Sequence, residues 1–593
     1  MATPGAARIM ADVHYRVEVL DVLRHLFQVT LTLARPQATQ LLQLPVWIPG
    51  SYLVREFSRH VYAIEARQNG RSCALTQVDK CSWSVQARED KPLVVTLQVH
   101  AHDASVRTAW LDAQRGFFNG TSLFLRAQGF THLSHSVEIV CPRTLPDWHL
   151  ATGLTPQRVD RLGFGVYQAA HYDELVDCPV EMGPFWSGDF HVAGSDYRFV
   201  VAGAPPAFNG ERLLADTRRI VEAQVRFWHG RGHAPHKRYV FMLWAVSDGY
   251  GGLEHRNSTA LICKREDLPQ VGRSTAGDGY VTLLGLISHE YFHTWNVKRL
   301  RPAQLAEVDY QRENMTPLLW FFEGFTSYYD DLLLCRAGLI DAARYVKLLN
   351  KTINQVLQTP GRQVQSVAQA SFEAWTKYYR PDDNSPNITV SYYTKGALVG
   401  LCLDLSLRQK GHSLDEVMRA LWKRCSGGPM SESDLLAVLR ELTGDNWHTR
   451  LQSWVHGTDE LPLKSLLQSH GVKVHEDDSA WAQRLGLRVA ESQGIQVKTV
   501  LHGGIAQRAG FCAGDEWLGV ELPAARGRQA CGWRLSRLDE LPLYLGQATR
   551  AIALVSRDRQ LLRLPLSLKD AEQVTTWRLS VSDTEAIQRW LQR

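Results

Sequence analysis

Phe27, Val29, Leu31 and Leu33 alternate with polar neighbours, the period of a strand with one buried face. Val95, Leu97 and Val99 repeat the pattern. Asn69-Gly70, between Ala63-Ile64-Glu65 and Cys73-Ala74-Leu75, predicts a tight hairpin. Residues from about Tyr15 to Pro179 therefore read as an all-β N-terminal domain. Within it, Trp47-Ile-Pro-Gly-Ser-Tyr-Leu-Val-Arg-Glu-Phe57 predicts a strand, a turn and a short helix or strand, with no chemistry attached. Phe190–Val201 predicts another hairpin. After Pro205-Pro206 the period lengthens. Ala215–Trp228 predicts an amphipathic helix and Arg238–Trp244 a strand. Gly249–Ser258 is glycine-rich, and Thr259–Cys263 after it suits an edge strand.

From Met315 to about Leu461 the pattern is helical. Two helices stand out as apolar around most of their circumference, so both are predicted to be buried: Val281–Trp295 and Leu319–Asp330. Ser391–Ser406 predicts a third, with a polar, aromatic start. Leu461-Pro462 marks a boundary. Beyond it short strands return at Leu485–Val489 and Ile495–Val500, followed by Gly503–Gly510 and Ala513–Val520. Ser536–Leu545 supplies a helix to this small β module. The fold class is multidomain α+β.

A chain of 593 residues is too long for one core, so two to four domains are expected. Hydrophobic residues make up 45% and charged residues 21%, ordinary for a globular enzyme. A formal charge of +5 is small at this length and gives no sign of nucleic-acid binding. No apolar run approaches the ~20 residues of a membrane span. Met1–Met10 lacks a hydrophobic signal region. A cytoplasmic protein is expected. The ten cysteines are scattered, with no C-x-x-C pair, and are expected to be reduced.

The chemistry lies in the first buried helix. His289-Glu-Tyr-Phe-His293 is an H-E-x-x-H pattern. Residues four apart on a helix share a face, so the two imidazoles can serve one Zn²⁺. Glu290 then stands beside the metal as a general base. Two core histidines with a partnered glutamate are the alternative. A catalytic zinc needs a third protein ligand. Glu323, flanked by Phe321, Phe322 and Phe325, is a carboxylate whose burial is costly unless it binds a metal or is paired. A buried ion pair is its alternative. The glycines before Glu254 let a peptide backbone approach, and Glu254 could meet its N-terminal ammonium. A glycine-rich turn with a solvated Glu254 fits equally well. Tyr392 or Tyr393 could donate to an oxyanion, although on the residues alone an ordinary surface or core tyrosine is the plainer reading.

Together these residues resemble the glycyl aminopeptidase family of PDZ-containing zinc metallopeptidases, relatives of the thermolysin-like and aminopeptidase N-like enzymes. The carriers are Trp47–Phe57, Tyr250-Gly-Gly-Leu-Glu-His-Arg-Asn-Ser258, His289–Pro302, Leu319–Tyr329, Tyr393-Thr-Lys-Gly396 and Gly503–Val520. The resemblance implies a β domain over residues 1–183, a thermolysin-like zinc peptidase domain over 184–465 and a PDZ-like domain with a tail over 470–593. It implies one Zn²⁺ on His289, His293 and Glu323, with Glu290 as base. Tyr393 supports the tetrahedral intermediate, Glu254 grips the substrate amine, and Gly251 and Gly252 pair with its backbone. His293 and Glu323 stand 30 positions apart, a longer insert than in aminopeptidase N-like enzymes. Within it, Lys298, Arg299 and Arg301 either touch substrate or are structural. Arg484-Leu485-Gly486-Leu487 is where the resemblance puts a PDZ carboxylate loop, and the module either binds C-terminal peptides, guides substrate or braces the catalytic domain.

The implied activity is hydrolysis of the first peptide bond of peptides with small N-terminal residues, glycine first and then alanine. An endopeptidase or broader peptidase is a second possibility, and a PDZ-type peptide-binding scaffold with a degenerate zinc site a third. No nucleic-acid or membrane partner is expected.

Overall fold

The computed structural model describes residues 12–522, 530–569, 571 and 574–592. Met1–Met10, read above as lacking a signal region, lie outside them. By compactness the chain divides into two units. One comprises Met1–Asn314 and Trp422–Met430, the other Met315–Leu421 and Ser431–Arg593.

The first unit begins with an eight-stranded sheet, Val13–Asp21 and Leu26–Leu33 near its centre. The alternating apolar residues set the register. Phe27, Val29 and Leu31 stand opposite Val99, Leu97 and Val95, and all six are buried. Asn69 and Gly70 adopt positive φ (49° and 77°) and turn Val61–Gln68 into Arg71–Ser72, as a two-residue hairpin requires. Two four-stranded sheets complete this β-rich region.

A five-stranded sheet follows. Its strands are β1 (Trp186–Val192), β2 (Ser195–Ala202), β3 (Arg238–Val246), β4 (Gly251–Glu254) and β5 (Ser258–Lys264), in the order β1-β2-β3-β5-β4. β2, β3 and β5 are parallel, and helix α1 (Gly210–His229) makes the crossover from β2 to β3. Thr259–Cys263 was expected at the edge. It lies inside instead, paired on both sides, and all five residues are buried. The edge belongs to β4. The apolar run from Thr259 to Cys263 reads as a strand covered on both faces, which is the physical reason. Helix α2 (Asp278–Phe292) carries His289 and is capped at its C-terminus by His293, and Asp278 in its first turn complements the helix dipole.

The second unit is helical and then β. α3 (Leu319–Phe322), α4 (Gly324–Arg336), α5 (Ala342–Leu357) and α6 (Thr394–Arg408) form its core. Asp404, fully buried, accepts from the Tyr328 hydroxyl at 2.6 Å, Arg408 Nε at 2.9 Å and Leu414 N–H at 2.8 Å. A buried carboxylate so provided for is no liability. The C-terminal part holds a sheet with Leu487–Ala490 at one end. Asn387 donates to the Val500 carbonyl at 3.0 Å and accepts from His502 N–H at 2.8 Å. Asn354 and Asn350 bond the strand at Trp577 and Leu579. These contacts tie the β module to the helices of the same unit. None of the ten cysteines forms a disulfide. Among the described residues, no helix is long and apolar enough to cross a membrane.

Candidate metal centre and its surroundings

α2 ends at His293, whose own backbone is still helical. The helical repeat therefore holds through both histidines. Their Nε2 atoms face each other at 3.1 Å. His293 Nδ1 lies 2.8 Å from the Asn296 carbonyl, an acceptor only. The Nδ1 nitrogen must donate there, which leaves its Nε2 as a lone pair. Two tetrahedral zinc ligands with ~2.05 Å bonds are about 3.3 Å apart. The spacing and the tautomer thus suit a divalent cation. Gln224 on α1 donates to Ser288 O and Oγ at 2.7 and 3.0 Å, fixing α2 one residue before His289. Tyr291 meets the Tyr197 hydroxyl at 2.8 Å, and Trp295 Nε1 donates to His229 at 2.7 Å.

Glu290 and Glu254 are 5% and 4% exposed. Glu254, Glu290 and His293 each bring a ligand atom within 4.8 Å of the others. The sequence left Glu254 between a solvated turn and a buried anchor, and the structure buries it. Gly252 lies directly under Glu290, whose carboxylate occupies the space a Cβ would need. Gly50, at φ 93°, lies under Glu254, where a Cβ would fall 2.6 Å from both carboxylate oxygens. Only glycine serves both demands at position 50. That gives the Trp47–Phe57 segment a role its composition does not reveal: it packs against the carboxylate of Glu254. Trp47 Nε1 anchors the segment on the Asp309 carbonyl at 2.8 Å.

Beside Glu254 lies a cavity of about 800 Å³, lined in part by Gly50, Asp177, Arg256, Lys298, Arg299 and Arg301. Lys298 pairs with Asp177 at 2.7 Å, and His255 adds a bond to Asp177 at 3.2 Å. Burial alone would push the Asp177 carboxyl up, but Lys298 and His255 outweigh it and hold it well below the usual range. Arg299 donates to the carbonyls of Arg256, Thr294 and Pro235. Burial, then Arg256, lowers its pKa to about 10, so it stays charged. Lys298 and Arg299 thus each have partners within the first unit. Arg301 lies in a two-residue strand that pairs with Pro429–Met430.

In the second unit, Glu323 is the junction of α3 and α4 and is 2% exposed. Tyr393 is the N-cap of α6. Gly324 and Gly396 meet backbone to backbone, a Cβ on Gly324 falling 2.5 Å from Gly396 Cα and C. That close approach of α4 to α6 brings Glu323 near Tyr393. Burial first, then the Glu323 charge, pushes the Tyr393 hydroxyl well above its ordinary pKa. It therefore remains a hydrogen-bond donor at neutral pH. Tyr378, Tyr379 and Tyr392 pack around it. At the proposed carboxylate loop, Trp481–Leu485 is a short helix, Gly486 adopts φ 73°, and Leu487 opens a strand.

Two family models match. The M61 peptidase N-terminal domain covers residues 14–184, and M61 glycyl aminopeptidase covers 282–399. The structure of an aminopeptidase N family protein from Idiomarina loihiensis is 35% identical, with 98% of this chain and all of that one covered and a TM-score of 0.90. An M1 zinc metallopeptidase from Deinococcus radiodurans is 16% identical over 77% of this chain and 96% of that one, with a TM-score of 0.46. No curated protein matches the chain. A likeness of 35% over the whole length, with M61 models on both the β-rich and the histidine-bearing regions, leads to one conclusion: the chain belongs to the M61 glycyl aminopeptidase family and is a peptidase.

Proposed function

We propose that this protein is a zinc-dependent aminopeptidase that hydrolyses the first peptide bond of peptides with small N-terminal residues, glycine and then alanine. The observation that carries the reading is the pair of imidazole nitrogens at 3.1 Å, with Glu290 and Glu254 gathered beside them. His289, His293 and Glu323 are assigned as the ligands of one Zn²⁺. When bound, zinc polarises the scissile carbonyl and makes a water acidic enough to attack near neutral pH.

The chain's own groups do the rest. Glu290 accepts the proton of the attacking water and passes it to the leaving amine. Tyr393 donates a hydrogen bond to the carbonyl oxygen as it gains charge. Glu254 holds the substrate ammonium, and its burial supports that role, because a buried carboxylate gains most from a cationic partner. β4 is the free edge of its sheet, where an extended peptide can add as a further strand against the outward backbone groups of Gly252, with Gly251 assigned beside it. With its amine fixed at Glu254, a substrate presents only its first peptide bond. The preference for glycine rests on the family description.

The β module after residue 470 is assigned as PDZ-like, with Leu485, Gly486 and Leu487 as its carboxylate loop. Its asparagine-mediated ties to the helices support a bracing role alongside peptide binding.

Hydrolysis of a panel of aminoacyl p-nitroanilides, with and without a chelator, tests the activity. Glycyl substrate is expected to turn over fastest, chelation to abolish it, and added Zn²⁺ to restore it. Cleavage of N-acetylated peptides at a comparable rate would overturn the aminopeptidase assignment in favour of an endopeptidase.

A further inference from the structure

Arg107 comes from the β-rich part of the first unit and donates from Nη2 to the Gly252 carbonyl at 3.2 Å. Its Nη1 lies 3.8 Å from where a Cβ on Gly251 would stand. The guanidinium meets a neutral carbonyl, so that bond leaves its charge unneutralised. Its Nε is buried and has no hydrogen-bond partner among the described residues. A buried donor without a partner is costly unless a ligand supplies one.

Its position along β4 matters. The turn after β4 is closed by His255 N–H donating to the Ser258 carbonyl at 3.0 Å. Opposed residues in an antiparallel pair alternate between bonded and non-bonded. Leu253 therefore turns its backbone groups towards Ala260, while Gly252 and Glu254 turn theirs to the free edge. Arg107 stands on that edge. A peptide with its amine at Glu254 runs antiparallel to β4, towards Gly252. Two residues of strand cover about 7 Å. Glu254 and Gly252 are two residues apart on β4, so a dipeptide with its amine at the level of Glu254 ends in its carboxylate at about the level of Gly252.

We propose that Arg107 binds the C-terminal carboxylate of dipeptide substrates, making them the favoured class over longer or amidated peptides. The proposal rests on the aminopeptidase reading and on Glu254 as its amine anchor. A second-residue acidic side chain carries the same charge, but in an extended strand it leaves the plane of the edge on which Arg107 lies.

The test compares glycylglycine, glycylglycine amide and glycyl-aspartyl amide on the full-length, zinc-loaded protein. A charge-assisted hydrogen bond is worth about 10- to 100-fold in kcat/KM. Free dipeptide is expected to exceed the plain amide by that factor, chiefly through KM. Arg107→Gln should reduce the dipeptide far more than the amide and erase the difference, and Arg107→Lys should restore part of it. Calorimetry on Glu290→Gln should show glycylglycine bound about tenfold tighter than its amide. Equal kcat/KM for acid and amide in the unsubstituted protein would overturn the proposal. So would an equal loss on both in Arg107→Gln, and a glycyl-aspartyl amide as good as the free dipeptide would move the contact to the side chain. Failure of the aminopeptidase reading is distinguishable, because glycyl p-nitroanilide would then not be cleaved at all.

Discussion

His289 and His293 are brought together by four residues of a single helix, whereas Glu323 and Tyr393 are brought together across 70 positions. In the first unit, one turn of α2 sets the distance between the imidazoles, and the bonds from Gln224 to Ser288 only fix where that turn sits. In the second, nothing local sets the distance. α4 and α6 must approach until Gly324 and Gly396 touch backbone to backbone. A pair held by helical repeat tolerates changes in its surroundings. A pair held by an interhelical contact is only as good as that contact.

The largest expected effect lies on the locally built side. Glu290→Gln keeps the shape of the side chain over Gly252 but cannot accept a proton. We expect kcat to fall by about 10³ or more with the metal retained, read by steady-state kinetics and metal analysis on one preparation. Near-normal turnover would remove Glu290 from the mechanism.

Tyr393→Phe, on the assembled side, comes next. Removing one oxyanion donor typically costs about 2.7–4 kcal/mol, or 10²–10³ in kcat, and the metal should again be retained. Since burial, the larger cause, holds the phenol above its ordinary pKa, Tyr393 stays protonated through the usual alkaline range. An alkaline limb in the pH profile should therefore survive in the variant. If the limb vanishes with the hydroxyl, Tyr393 is titrating in that range and its surroundings are more polar than its burial implies.

The same contrast governs what a reader of the sequence could see. The H-E-x-x-H helix, the buried Glu323 and the paired glycines of β4 were legible, because each shows in spacing or in an expensive neighbourhood. That Phe27, Val29 and Leu31, like Val95, Leu97 and Val99, line a buried strand face followed from alternation, whereas the pairing of the two strands did not. What the sequence hid was contact between distant segments. Gly50 is one glycine among 44 until Glu254 is seen lying over it. Arg107 is an ordinary arginine between two strands until its guanidinium reaches Gly252. Thr259–Cys263 was misplaced at the sheet edge although its apolar run already signals a strand covered on both faces. Asp177, Lys298 and His255 form an ion cluster that no spacing announces.

The smallest effects divide the two regions most sharply. At Gly252 and at Gly324 an added Cβ would collide, but with different things. Over Gly252 it meets the Glu290 side chain, which can swing aside. Over Gly324 it meets the backbone of Gly396 and Ala397, which cannot move without shifting α6. Gly252→Ala should therefore displace the base, lowering kcat by up to about 10² while leaving unfolding by denaturant nearly unchanged. Gly324→Ala should overpack the helix pair and destabilise the second unit by about 1–3 kcal/mol, with activity falling as α6 carries Tyr393 away. A stable Gly324→Ala protein of full activity would mean that α4 and α6 have slack, and that the position of Tyr393 does not depend on the glycine contact.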